Sequence, residues 1–160
     1  MDVFLTDIEI KSLIDETKQM TVDPAELLRN MKDKRGHSES EHNIVRSDGS
    51  TFSVRLRINN ENPLDFSIIL AFCPANSSKL FLIRRYNGKS HEHKNKLEGE
   101  EAFYNYHIHT ATERYQREGT KEEYFAEETN RYSTALEALN CLMTDCNIIS
   151  PPTLQYKLEM

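Results

Sequence analysis

Two His-x-His pairs stand out among the six histidines of this 160-residue chain: His91 with His93, and His107 with His109. On an extended strand a spacing of two puts both side chains on one face, roughly 6 to 7 Å apart along the strand. Imidazoles so placed could bind one metal ion after side-chain rotation, or serve as acid and base across a phosphodiester. Four arginines, Arg55, Arg57, Arg84 and Arg85, supply the residue type that holds phosphate, because guanidinium presents its donors in a planar fork. If Arg55, Arg57, His107 and His109 share a face, the arginines bind the phosphate and His107 and His109 are placed as catalytic groups. That arrangement suits metal-independent RNA cleavage, in which a base deprotonates the 2′-hydroxyl and an acid protonates the leaving oxygen.

Two other readings of the same residues stand beside this one. A metal site needs His91, His93, His107 and His109 to converge, with Glu92 or Glu113 completing the set. Apart from that ion the sequence implies no cofactor. In the structural reading His107 and His109 hydrogen-bond within a polar sheet face, His91 and His93 are solvated in a loop, and the arginines form a charged surface. Other chemistries lack their motifs: there is no Walker loop, GxGxxG, GxSxG or HExxH, and five glycines do not build a nucleotide cradle. Tyr104, Tyr106, Tyr115, Tyr124 and Tyr132 are base-stacking candidates, but strand alternation sends the first two to the core.

The elements that must position these residues can be read from periodicity. Thr6 and Glu9 form a capping box ahead of Ile10, Leu13, Ile14 and Thr17, which predicts a helix over about 7–19. Asp23-Pro24 opens a second short helix carrying Leu27, Leu28 and Met31. The stretch 31–42 is charged and reads as a polar linker. Asp48-Gly49 then predicts a hairpin between 43–46 and 51–58, where Phe52, Val54, Leu56 and Ile58 alternate with Arg55 and Arg57. Residues 65–73 are nearly all apolar, as in a central strand. Further strands are predicted over 79–86 and 103–110, separated by a polar loop at 87–101. Residues 113–119 read as a break, Thr120 and Glu123 as a second capping box, and Ser133 or Thr134 as the cap of a closing helix with Leu136, Leu139, Cys141, Leu142 and Met143 toward the core. The expected fold is α+β: a mostly antiparallel sheet of about five strands, with N-terminal helices and a C-terminal helix packed on one face. One domain covers 1–150, and 151–160 reads as a tail.

The net charge of −6 is unevenly spread. Residues 43–96 carry 9 Lys/Arg against 4 Asp/Glu, whereas 1–42 carry 6 against 10 and 97–160 carry 5 against 12. A basic centre between acidic flanks is either a phosphate-facing surface or a sheet that pairs with its own flanks. The start, MDVFLTDIEIKSL, lacks a basic n-region and a continuous apolar run, and no stretch reaches the ~18 apolar residues of a bilayer span. Cys73, Cys141 and Cys146 are odd in number and without CxxC spacing, which predicts reduced thiols in a cytoplasmic, soluble protein with no membrane partner.

The segments RRYNGKSHEH (84–93), FYNYHIHTATERY (103–115) and DCNI (145–148), together with the opening helix, resemble an uncharacterised family of small bacterial proteins. That resemblance implies no activity. The strand order, the arginine-tyrosine strand end and the clustered histidines are also similar to the small toxins of bacterial toxin–antitoxin pairs, and that likeness supplies no catalytic residues. The expectations for function are an RNase-like toxin or defence protein using the His/Arg face, with RNA or another phosphate-bearing ligand as partner. The alternatives are a non-catalytic protein-interaction module, such as an antitoxin or defence-system subunit with a protein partner encoded nearby, and a histidine-based metal-binding protein.

Overall fold

The computed structural model describes residues 3–99 and 101–151, so all but the first residue of the predicted tail lies outside the described residues. The Thr6 hydroxyl accepts from the Glu9 amide and the Glu9 side chain reaches back to the Thr6 amide, opening α1 (Asp7–Asp15) as predicted. The helix ends four residues short of 19. Lys18 and Gln19 form β1 instead, and the Lys18 ammonium is buried against the helix end, donating to the carbonyls of Ile14, Glu16 and Cys146 at 3.0, 2.7 and 2.7 Å. It thereby satisfies carbonyls that a helix terminus leaves open. Asp23 caps α2 (Pro24–Arg29).

Residues 31–42 are not a linker. They contain β2 (Lys32–Lys34) and most of β3 (His37–Val45), joined by a tight turn in which Arg35 and Gly36 take φ of 50° and 96°. The stretch lacks an apolar signal because β2 is fully exposed at the sheet edge and β3 is matched by charge to β4 (Thr51–Asn59). Glu39 lies opposite Arg57, and Glu41 opposite Arg55, which it pairs at 2.9 Å. At the Asp48-Gly49 hairpin only Gly49 takes a positive φ, while the Asp48 carboxylate accepts from the Ser50 amide.

The chain continues through β5 (Phe66–Cys73), β6 (Phe81–Asn87), β7 (His107–Thr110), α3 (Glu113–Arg117), β8 (Ala126–Glu128), α4 (Ala135–Asp145) and β9 (Ile148–Ile149). Strands β2 to β8 form one antiparallel sheet of seven strands in sequence order, and β1 pairs in parallel with β9. The fold is therefore α+β, with seven strands in the main sheet where about five are predicted. The break predicted at 113–119 holds the five-residue α3, capped by Thr112. The capping box at Thr120 and Glu123 opens no helix, and the edge strand β8 follows it.

Alternation assigns the faces. Phe52, Val54, Leu56, Phe66, Ile68, Leu70 and Tyr86 point to one side, where Leu139 and Leu142 of α4 meet them together with Ile10, Leu13 and Leu27 from α1 and α2. Leu139 and Leu142 are wholly buried, each contributing about 2 kcal/mol. Leu136, predicted for the core, is exposed. Among the described residues no helix is long and apolar enough to cross a membrane.

Candidate functional site

Strand register fixes which side chains share the face opposite α4. Arg57, Ser67, Asn87, His107 and Glu128 lie opposite one another on successive strands from β4 to β8. A second row, two residues along each strand, holds Arg55, Ile69, Arg85, His109 and Ala126. Arg84 follows the opposite alternation, with Nη1 3.1 Å from the Tyr86 hydroxyl and 3.5 Å from Asp145, on the side of α4. Arg55 shares the open face but is held by Glu41. Of the four predicted phosphate-binding arginines, Arg57 and Arg85 line one cavity with the histidines; Arg55 and Arg84 do not.

The loop residues from Gly88 to His93 fold back over this face. His93 and Phe103 exchange two backbone hydrogen bonds of 2.8 Å. The Asn95 side chain donates to the Ala126 carbonyl (2.7 Å) and accepts from the Ala126 amide (2.9 Å), tying the loop to β8. Loop and sheet line a half-open cavity of about 260 Å³ bordered by Arg57, Ser67, Arg85, Asn87, His107 and His109, with Asp65, His91, Glu92 and His93 toward the loop. A larger cavity of about 500 Å³ between α2 and β2–β4 contains Arg55 and Arg57 but no histidine. The chemistry is concentrated in the smaller one.

Three imidazoles form a cluster there. The His93 ring centroid lies 5.5 Å from that of His107 and 4.8 Å from that of His109, and the latter two are 4.9 Å apart. His91 stays apart, exposed at the rim and 3.5 Å from Asp65. The loop pair predicted to be solvated is thus divided: His91 is, His93 is not. His107 Nδ1 donates to the Asn105 carbonyl at 2.8 Å and His109 Nδ1 to the Glu123 carbonyl at 2.9 Å. A carbonyl oxygen only accepts, so both rings carry their proton on Nδ1 and keep a lone pair on Nε2. Ser67 donates to Asn87 Oδ1 (2.9 Å), and the Asn87 amide approaches His107 Nε2 at 3.4 Å.

Burial decides the charge of these rings. Desolvation, with small additions from His93 and Arg85, depresses His107 to about 4. Desolvation, then the nearby Arg85 guanidinium and the other two imidazoles, depresses His109 to about 2. His93 is lowered as well, chiefly by burial. All three are therefore neutral at pH 7, and the acid half of the predicted acid–base pair carries no proton to give. Nor does the predicted quartet assemble as a metal site: among the described residues no group of three or more His, Cys, Asp or Glu side chains could hold an ion. His91 stands away at the rim, beside Asp65.

No family model, curated protein or solved structure matches the chain. The chemistry of the site therefore rests on its geometry.

Four of the five arginines of the basic centre are paired with the acidic flanks: Arg46 with Glu16 at 2.7 Å, Arg55 with Glu41 at 2.9 Å, Arg84 with Asp145 at 3.5 Å and Arg85 with Glu123 at 3.2 Å. Arg57 has no carboxylate partner among the described residues and remains exposed at the cavity. The Arg85 pair is imperfect, because Glu123 Oε2 and Arg85 Nε are buried without a hydrogen bond. Sequence reasoning missed Ser67, Asn87, Asn95 and Glu123. Ser67 alone carried a signal, as a hydroxyl in an otherwise apolar strand. Asn95 and Glu123 act through a loop and an edge connection whose paths no periodicity encodes.

Proposed function

We propose that the histidine cavity binds a phosphate-bearing ligand and that RNA is the macromolecule it serves. One observation carries this reading: Arg57 and Arg85 converge with His107 and His109 on a single cavity of the open sheet face. Arg57 is exposed and makes no ion pair among the described residues, although Glu39 lies opposite it on β3, and the Arg85 guanidinium also lines the cavity, so an anion entering there meets cationic donors. His107 and His109 enter as proton acceptors, not as an acid–base pair, since both are neutral near pH 7. The three unpaired cysteines suit the reducing cytoplasm.

The test is titration of the protein with inorganic phosphate and with a short oligoribonucleotide ending in a 3′-phosphate, followed calorimetrically and on a gel. Wild type binds both. Arg57→Ala, a change at an exposed side chain, weakens binding about tenfold while leaving the melting temperature unchanged. Equal affinity for the variant and the wild type overturns the reading. A toxin or defence role requires turnover, which appears as shortening of the oligonucleotide by wild type and its loss in His107→Ala.

A further inference from the structure

The cavity asks for more than an anion. In each of the three clustered imidazoles one nitrogen already donates: His107 Nδ1 to Asn105, His109 Nδ1 to Glu123, and His93 Nε2 to Asn95 Oδ1 at 2.8 Å. The last assignment is fixed by the Asn95 amide, whose oxygen accepts from the Ala126 N–H and whose nitrogen donates to the Ala126 carbonyl. A neutral imidazole has a single N–H, so what faces a ligand is the lone pair on the other nitrogen. His107 Nε2 has only the long 3.4 Å contact from Asn87, and neither His109 Nε2 nor His93 Nδ1 has a donor among the described residues.

Cations and lone pairs therefore sit in one chamber. The fully ionised phosphate group of a monoester satisfies the arginines and by itself presents no donor to the imidazoles. A complementary ligand carries a hydrogen-bond donor beside its anionic group. Spacing agrees with a donor close to the phosphate. Arg57 and His107 lie in one row, three strand spacings or about 14 Å apart at Cα, and an extended arginine spans about half of that. The carboxylates near the cavity are engaged elsewhere: Asp65 accepts from Asn59 and faces His91, Glu92 accepts from Tyr104, and Glu123 faces Arg85.

We propose that this site selects phosphate esters with a free hydroxyl adjacent to the phosphate, and hence ribonucleotides over deoxyribonucleotides. The inference rests on the phosphate-binding reading above and deepens it. The phosphate lies toward Arg57 and Arg85, and the neighbouring hydroxyl donates to the lone pair of His107 or His109. The 2′-hydroxyl of a ribonucleotide 3′-phosphate meets this requirement, and its deoxy counterpart leaves the acceptor unpaired in a buried site.

Calorimetric titration of the intact protein at pH 7 with adenosine 3′-monophosphate, its 2′-deoxy counterpart and inorganic phosphate separates the outcomes. The ribonucleotide binds at least about tenfold tighter than the deoxynucleotide. In Arg57→Ala both nucleotides weaken together and the preference survives; in His109→Phe, checked for native fold by its amide spectrum, the preference shrinks. Equal binding of ribo and deoxy ligands by wild type overturns the hydroxyl selection while the phosphate reading stands. Failure of all three to bind overturns the phosphate reading and the selection with it.

Discussion

Acid should destabilise this protein through its buried histidines well before its carboxylates titrate. The folded chain holds His107 at about 4 and His109 at about 2, against an ordinary value of 6.5 that the unfolded chain regains. Below pH 6.5 the unfolded state therefore binds more protons than the folded state. Stability is full above that pH and falls as the solution is acidified, through about 4 for His107 and on toward 2 for His109. At pH 5 each ring is protonated in the unfolded chain and still neutral in the folded one, which removes about 2 kcal/mol per ring relative to pH 7. His93, also lowered, adds in the same direction. Carboxylates held below their ordinary range, such as Glu16 and Asp145, come into play only below about pH 4.5. The assay is urea denaturation between pH 7 and pH 5 for wild type and His109→Gln, an uncharged side chain with an N–H for the Glu123 carbonyl. The variant should lose about 2 kcal/mol less over that interval, whatever its stability at pH 7. Identical pH slopes, or assigned His107 and His109 resonances of folded wild type that titrate near 6.5, would refute the argument.

Three further changes probe the elements that hold the site. Lys18→Met removes the donor shared by the carbonyls of Ile14, Glu16 and Cys146, and should lower stability by about 2 kcal/mol in thermal unfolding at pH 7. An unchanged or higher melting temperature would mean that burying the ammonium outweighs its three hydrogen bonds. Gly88→Ala places a Cβ 1.8 Å from the Leu64 carbonyl oxygen and should cost more than about 2 kcal/mol. The control, Gly119→Ala, meets only open space at φ +75° and should cost about 1 kcal/mol in the same denaturation series. Asn95→Ala frees the loop from Ala126, so hydrogen exchange at the Ala126 amide should accelerate at least tenfold while amides of β5 keep their protection; uniform acceleration across the sheet would show global rather than local loosening.

What the sequence revealed of the fold follows from where burial leaves a pattern. Strands β4 to β6 have one face against α4, so their apolar residues alternate or run together and are legible. β2 and β3 lie at the margin of the sheet, where Glu39 and Glu41 answer Arg57 and Arg55 across the ladder; charge complementarity between strands is invisible until the register is known. α3 and β8 have five and three residues, too short for any period to emerge. At the site, the shared face of His107 and His109 followed from a spacing of two. Adjacent Arg84 and Arg85 cannot both join them, because successive strand residues point to opposite faces, and only the pairing of Arg85 with His109 tells which one does. His93 arrives through a loop tied down by Asn95 and by its bridge to Phe103, contacts between segments that the sequence keeps apart.

The same burial that makes the histidine cluster stabilising above pH 6.5 is what gives it chemical character. Solvated imidazoles on an open sheet face would titrate near neutrality and compete with water for every partner. Here the backbone carbonyls of Asn105 and Glu123 fix the proton on Nδ1, desolvation keeps the rings neutral, and the loop residues from Gly88 to His93 border the cavity beside them. A purely structural role needs the Nδ1 bonds alone. It gives no account of why His109, lining the cavity, has no donor to Nε2 among the described residues, or why Arg57, alone among the arginines of β4 and β6, makes no ion pair there. Unused acceptors and an unpaired cation on one half-open cavity describe a ligand by its complement: negative at one end, with a hydroxyl or other donor close beside it.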